Sequence, residues 1–308
     1  MLKLGFVFPG QGSQYVGMGK ELAETFPEAE QVFTAADQIC GYKLSSLCFE
    51  GPQELLDQTQ YAQPAILVTS LACLAVARQR GLSPQLVSGL SLGEYTALVA
   101  AGAVTLAQAL PLVIRRAELM QEAVPLGKGA MAAVIGLDSA VVEHVCSQVD
   151  GIVTVANYNC PGQYVISGEK NAVEQAAGIL KQAGARTMLL AISVPSHSPL
   201  MQECAHALAK EIARIEFRDP LWAAVVSNVN AQENSAVDFP RLLEEQLYSP
   251  VLWEQSIRYM LPKVDYFVEI GPGTSLSGLI RKIDRNRIIG NLENQKTLQK
   301  LMEKVKEL

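Results

Sequence analysis

The sharpest chemical signal in the chain is Gly89-Leu90-Ser91-Leu92-Gly93. It follows an apolar segment and opens a run with helical character, the setting in which a G-x-S-x-G turn presents a nucleophile. The glycines have a steric reason: in so tight a strand-to-helix turn, side chains two positions before and after the serine would clash. The hydroxyl is then held above the sheet edge, and the helix N-terminus behind it offers free N–H groups to a developing oxyanion. The alternative is a glycine-rich turn with an incidental serine.

A serine nucleophile needs a base, and the chain has three histidines. His144 sits beside Glu143 on an expected helix. His206 has Glu203 at i−3 and Lys210 at i+4. Both read as surface residues. His197 lies in Val194-Pro195-Ser196-His197-Ser198-Pro199, just before a helix with Ser198 as N-cap and Pro199 at N1. That turn is rigid and falls at an expected domain junction, so the imidazole could line a cleft. A purely structural loop histidine is the rival reading.

Arg116 has only apolar helical neighbours, Leu112, Val113, Leu119 and Met120. A guanidinium there is costly unless an anion meets it, or unless it snorkels to water. Arg115 has Glu118 at i+3, an ordinary surface pair. Gly10-Gln11-Gly12-Ser13-Gln14 is neither a dinucleotide fingerprint, since Tyr15 stands where glycine is needed, nor a Walker A loop, since Met18 follows Gly17. It is a loop at the carboxyl end of a strand, where α/β folds bind ligands and where N–H groups could complete an oxyanion hole. Gly271-Pro272-Gly273 reads as a turn. Arg281, Lys282, Arg285 and Arg287 form a basic group, read as a solvated helix face or a patch for an acidic partner.

These residues must be positioned by a chain of 308 residues, 49% hydrophobic and 18% charged, an ordinary globular composition. A chain this long buries roughly 75% of the surface it exposes unfolded. With 25 Lys+Arg against 31 Asp+Glu, the net charge is −6, which argues against a dedicated nucleic-acid binder. The six cysteines are scattered, with no CxxC, and read as small core residues in a reducing compartment. The N-terminal apolar run is too short for a signal peptide, and the small-residue stretch 96–104 is too short to span a bilayer. A cytoplasmic protein is expected.

Strands are expected at 4–8, near 86–88, at 221–229 and at 266–270, with a nearly all-apolar buried helix over 64–77 and a helix from an N-cap at Thr105 to about Ala123. These outer segments argue for a parallel α/β sheet covered on both faces. Between them the order changes to β-α-β-β-α-β: strands at 131–137, 152–159, 163–168 and 187–194, helices at 138–149 and 171–184. That is the ferredoxin-like pattern. It predicts a small subdomain over 127–195 inserted into a larger one, 1–126 and 196–308.

Seven stretches together resemble the malonyl-CoA:acyl carrier protein transacylase family of bacterial type II fatty-acid synthesis: FPGQGSQ (8–14), GLSLGEY (89–95), RRAELMQEAVP (115–125), NYNCPGQYVISG (157–168), VPSHSPLM (194–201), QLYSPVLW (246–253) and EIGPG (269–273). They occur in the family's order and cover almost the whole chain. The resemblance implies an α/β-hydrolase-like large subdomain with the ferredoxin-like insert. It implies Ser91 as nucleophile, His197 as general base and acid, and the main-chain carbonyl of Gln246 orienting His197. Gln11 and Leu92 N–H groups would form the oxyanion hole, and Arg116 would pair with the malonyl carboxylate. Met120, Asn159 and Gln163 would line the substrate cleft. Malonyl-CoA and a phosphopantetheinylated acyl carrier protein are the implied partners, with no nucleic acid or membrane, no metal or cofactor of its own, and a monomeric chain. Leu90 departs from the histidine common in the family at that position, which bears on acyl selectivity. The rivals are a polyketide-pathway acyltransferase or acyl hydrolase on the same scaffold, and a non-catalytic carrier-protein docking module.

Overall fold

The computed structural model describes residues 2–308 apart from 126, 191 and 193. Two sheets organise it. The larger contains β1 (Leu4–Phe8), β2 (Pro84–Gly89), β7 (Ala224–Val226), β8 (Glu233–Asn234), β9 (Tyr266–Ile270) and β10 (Ile288–Leu292), in the order β10-β9-β1-β2-β7-β8. All its neighbours pair in parallel except β7 and β8. The smaller contains β3 (Gly129–Ile135), β4 (Val153–Cys160), β5 (Gln163–Glu169) and β6 (Arg186–Leu189), antiparallel in the order β4-β5-β3-β6.

Both faces of the larger sheet are buried, because side chains alternate along a strand. In β1, Leu4, Phe6 and Phe8 join a core that includes Ile66 and Leu67 of the Thr59–Gln79 helix. Val7 joins a second core with Trp253, Ile257 and Met260. The buried helix expected over 64–77 is found within Thr59–Gln79. By length and composition it could cross a bilayer, but 83% of its most apolar window is buried inside the protein. The smaller sheet packs Ala132, Val134 and Ile166 against the Ser139–Gln148 and Lys170–Gln182 helices. Its other face carries Met131 and Val165, with Leu190 and Ile192 against them. Val251 exchanges backbone hydrogen bonds with Ala156 and Tyr158 of β4, which fixes this sheet against the larger one.

Several boundaries differ from expectation. The strand expected over 221–229 is only Ala224–Val226, because Trp222 N–H turns to the Ala101 carbonyl and Asn228 is drawn toward the serine turn. The strand expected over 187–194 runs Arg186–Leu189; 191 and 193 lie outside the described residues. The Thr105 N-cap is found, with its N–H held by the Gln108 side chain at 2.9 Å.

The serine turn interlocks with the end of β1. A Cβ on Gly89 would lie 1.9 Å from the Gly93 carbonyl carbon, one on Gly93 would lie 2.1 Å from the Phe8 oxygen, and one on Gly10 would lie 2.4 Å from the Leu90 oxygen. Each clash is with backbone, so no rotamer relieves it. Gly93→Ala should therefore cost more than the ~1–3 kcal/mol of ordinary overpacking. Gly178→Ala, on the helix Lys170–Gln182 where a Cβ meets nothing within 4 Å, should stabilise by up to ~1 kcal/mol. Thermal melts of the two variants check both signs.

Candidate active site

Ser91 sits between β2 and the Gly93–Ala101 helix with φ 53°, a left-handed conformation unusual for a side-chain-bearing residue. Its backbone is clamped at both ends. Its N–H donates to Asn228 Oδ1 at 2.7 Å, and its carbonyl accepts from Gln246 Nε2 at 3.1 Å. Asn228 Nδ2 also donates to the Gly89 carbonyl at 2.7 Å.

His197 Nε2 is 2.8 Å from Ser91 Oγ. Its Nδ1 is 2.7 Å from the main-chain oxygen of Gln246. A carbonyl can only accept, so the proton belongs on Nδ1 and the Nε2 lone pair faces the serine hydroxyl. His197 is 3% exposed and also has positive φ, at 60°. Its N–H donates to the Leu247 carbonyl at 2.9 Å, so the consecutive carbonyls of Gln246 and Leu247 hold its ring and its backbone. Ser198 Oγ closes the turn on the Pro195 carbonyl at 2.7 Å. Burial, and then the charge of Arg116, lower the imidazole pKa from 6.5 to about 4. His144 and His206 are exposed and away from this site, His206 facing Glu244 at 3.6 Å.

Arg116 is 1% exposed, which excludes snorkelling. It donates to Gln63 Oε1 at 2.7 Å through Nη1, and to Ser91 Oγ and Gln246 Oε1, each at 3.1 Å, through Nη2. Its guanidinium lies 5.4 Å from the Tyr95 ring centroid, and its Nε has no partner among the described residues. Arg115 makes the expected pair with Glu118 at 3.0 Å.

A cavity of about 500 Å³ opens above these groups, within the usual range for a ligand site. Ser91, His197, Arg116, Met120, Gln11, Leu92, Asn159 and Gln163 all line it. The N–H groups of Gln11 and Leu92 have no acceptor among the described residues. Leu90 lines the cavity as well. Gln246 is fully buried beneath, touching the cavity-lining residues Ser91, Arg116 and His197. Met131, Val165, Leu190 and Ile192 form an apolar wall opposite. Asn159 Oδ1 is buried without a partner among the described residues, and Gln163 accepts from Lys282 Nζ at 2.7 Å.

Sequence reasoning missed Gln63, Glu94 and Asn228. Glu94, 1% exposed, accepts from Gln246 Nε2 at 2.6 Å and from the Asn228 N–H at 3.2 Å. Burial raises its pKa. The expected basic group divides: Lys282 lines the cavity, Arg281 and Arg285 are exposed, and Arg287 binds the carbonyls of Leu261 and Val264.

The fold defines a class before a particular family. A family model described as "Acyl transferase domain" matches residues 5–304. A malonyl CoA-acyl carrier protein transacylase of Bacillus subtilis is 44% identical over 313 residues, covering 100% of this chain and 98% of that protein. One from Escherichia coli is 46% identical over 289 residues, covering 92% and 93%. The crystal structure of the Clostridium perfringens transacylase superposes with a TM-score of 0.96 at 41% identity, covering 99% of this chain and 98% of that one. A malonyl-transacylase solved with its type II PKS acyl-carrier protein superposes at 0.95 with 42% identity, covering 98% and 99%. The chain belongs to the malonyl CoA-acyl carrier protein transacylase family.

The imidazole makes a prediction that needs no substrate. In ¹⁵N NMR of the histidine rings, His197 should keep its proton on Nδ1 and stay neutral as pH falls through 6.5, titrating only near about 4. A normal titration near 6.5 would contradict its burial beside Arg116.

Proposed function

We propose that this chain transfers a malonyl group from malonyl-CoA to the phosphopantetheine thiol of an acyl carrier protein in fatty-acid biosynthesis, through a malonyl ester on Ser91. The observation that carries this reading is the contact set of one hydroxyl: Ser91 Oγ lies 2.8 Å from His197 Nε2 and 3.1 Å from Arg116 Nη2. A base and a fixed cation thus flank one nucleophile.

Ser91 gives its proton to Nε2 as Oγ attacks the thioester carbonyl. The N–H groups of Gln11 and Leu92 receive the oxyanion. As the carbonyl re-forms, the C–S bond breaks, the CoA sulfur leaves, and Nε2–H protonates it. The carrier's thiol then gives a proton to Nε2 and attacks the ester carbonyl, and Ser91 regains its proton as the C–O bond breaks. The Gln246 carbonyl holds the imidazole in the required tautomer throughout. Arg116 takes the malonyl carboxylate with the two-pronged geometry a guanidinium offers. Met120, Asn159 and Gln163 line the path of the acyl group and arm.

In this reading the catalytic subdomain is 1–126 with 196–308, and 127–195 is the inserted ferredoxin-like subdomain. The family name and the carboxylate-matched Arg116 favour transfer of malonyl over hydrolysis of a simple acyl group. The six free cysteines fit a reducing cytoplasm, and the chain acts as a monomer.

Ser91→Ala should abolish the malonyl adduct seen by intact mass after mixing with malonyl-CoA. An adduct that persists would move the nucleophile elsewhere. Arg116→Ala should lower kcat/KM for malonyl-CoA by about 100-fold or more while leaving acetyl-CoA unchanged or better. Arg116→Lys should recover only part, because a point charge cannot make the bidentate contact. Equal proportional losses for both thioesters would make the arginine structural and overturn the carboxylate assignment.

A further inference from the structure

We propose that Glu94 is a positioning residue of the transfer reaction, acting through the Gln246 carboxamide to hold Arg116 and His197 in register with Ser91. The inference rests on the transacylase reading above and deepens it.

A carboxamide presents an oxygen at one end and an NH₂ at the other, and the two ends are nearly the same shape. What decides its orientation is the chemistry on either side. On one side of Gln246 lies Arg116 Nη2, at 3.1 Å from Oε1, which can only donate. On the other lies a Glu94 carboxylate oxygen, at 2.6 Å from Nε2. That same oxygen also accepts from the Asn228 backbone N–H at 3.2 Å, a group that can only donate, so it serves as an acceptor here. A flipped amide would set NH₂ against guanidinium and oxygen against carboxylate, two mismatches in a fully buried place. Glu94 thus locks the amide, and the lock transmits. The same Nε2 bonds the Ser91 carbonyl at 3.1 Å, Oε1 restrains the guanidinium that touches Ser91 Oγ, and the residue's own carbonyl holds His197 Nδ1 at 2.7 Å.

Glu94 also has a second hold on the serine turn. The carboxylate oxygen that binds Gln246 accepts from the Asn228 N–H, and Asn228 clamps Gly89 and Ser91 through its side chain. One buried carboxyl group, three residues after the nucleophile in the first turn of the helix that follows it, therefore braces both residues that fix the serine turn. It does not line the cavity, so it touches no substrate and is not a catalytic residue.

Glu94→Gln keeps the volume but puts an NH₂ group where a carboxyl oxygen stood, so the Gln246 amide is free to flip. The test is a double-mutant cycle with Gln246→Ala, which removes the carboxamide and keeps the main-chain carbonyl. Malonyl transfer to carrier protein is measured in wild type, both single variants and the double, with circular dichroism and thermal melts to confirm folding. E94Q should lower kcat by about 10- to 100-fold, the usual worth of a hydrogen bond to a charged group. In the Q246A background the loss should shrink to at most about threefold, the share carried by the hold on Asn228, since the route through Gln246 is gone. The His197 Nδ1–H proton resonance should move in E94Q. Independent, multiplicative losses, or E94Q activity within about threefold of wild type, would overturn the proposal. If E94Q does not fold, Glu94→Asp carries the same cycle: it keeps the carboxyl group but withdraws it from Gln246, and the same coupling is expected. An inactive wild type would fail the transacylase reading itself. An active wild type with no coupling fails only the role of Glu94.

Discussion

A buried, permanently charged guanidinium sets the terms for everything around it. Arg116 is 1% exposed and is met by neutral oxygens from Gln63, Ser91 and Gln246. Holding such a charge out of water costs several kcal/mol unless each donor finds an acceptor. The helix forces the placement. Leu112, Val113, Leu119 and Met120 are all buried, so the face that carries Arg116 has to pack inward. The charge then acts on its neighbours. Together with burial it keeps His197 neutral well below the usual histidine range, and it orders the side chains of three residues from distant parts of the chain.

The serine and the histidine are both held in backbone conformations that side-chain-bearing residues avoid, at about 1–3 kcal/mol each. Such conformations persist only where the surroundings over-determine them. Ser91 is held at its N–H by Asn228 and at its carbonyl by Gln246, while His197 is held at its N–H by Leu247 and at its ring by Gln246. Gln246 is common to both. The strain that exposes one hydroxyl and the strain that aims one imidazole are therefore borne by the same short stretch of chain. That stretch follows a helix whose buried Leu242 and Leu243 seat it in the core.

What the sequence made legible were features with local causes. Glycines two either side of a serine, a histidine between two prolines, and an arginine among apolar helical neighbours each carry their reason within a few residues. The alternation of helix and strand was legible in the same way, including the four-stranded order inside the larger fold. The amides and the carboxylate that support the site were not. Asn228 reaches Ser91 across 137 positions, and Gln63 reaches Arg116 across 53. A glutamine or asparagine gives no periodic signal, and Glu94 reads as a helix's acidic first turn until its burial is known. Short strands were lost for a related reason. Ala224–Val226 stops early because Asn228 is needed at the serine turn, and β8 has only two residues, too few for alternation to show. For Arg116 the apolar neighbours posed the question of anion or water, and only burial answered it.

The use of a carbonyl rather than a carboxylate behind His197 follows from the same charge arrangement and from the chemistry proposed for the site. A carbonyl fixes the tautomer without adding a negative charge, so the imidazolium formed in each half-reaction stands beside Arg116 in a dry place with little to stabilise it. The pKa of about 4 expresses that instability. In the proposed reaction a proton taken from Ser91 is held briefly and passed on readily. For amide cleavage that would be a poor bargain, because an amine leaving group needs the proton firmly delivered. A thiol, with an ordinary pKa near 8.5, leaves far more easily and asks less of the acid. The apolar wall of Met131, Val165, Leu190 and Ile192 excludes water from one side of the cavity, which strengthens every interaction on its polar floor and favours a thiol over water as the second acceptor. The small sheet thus contributes to the reaction without supplying a reacting group. It makes the site dry enough for a weak base and a single buried cation to be sufficient.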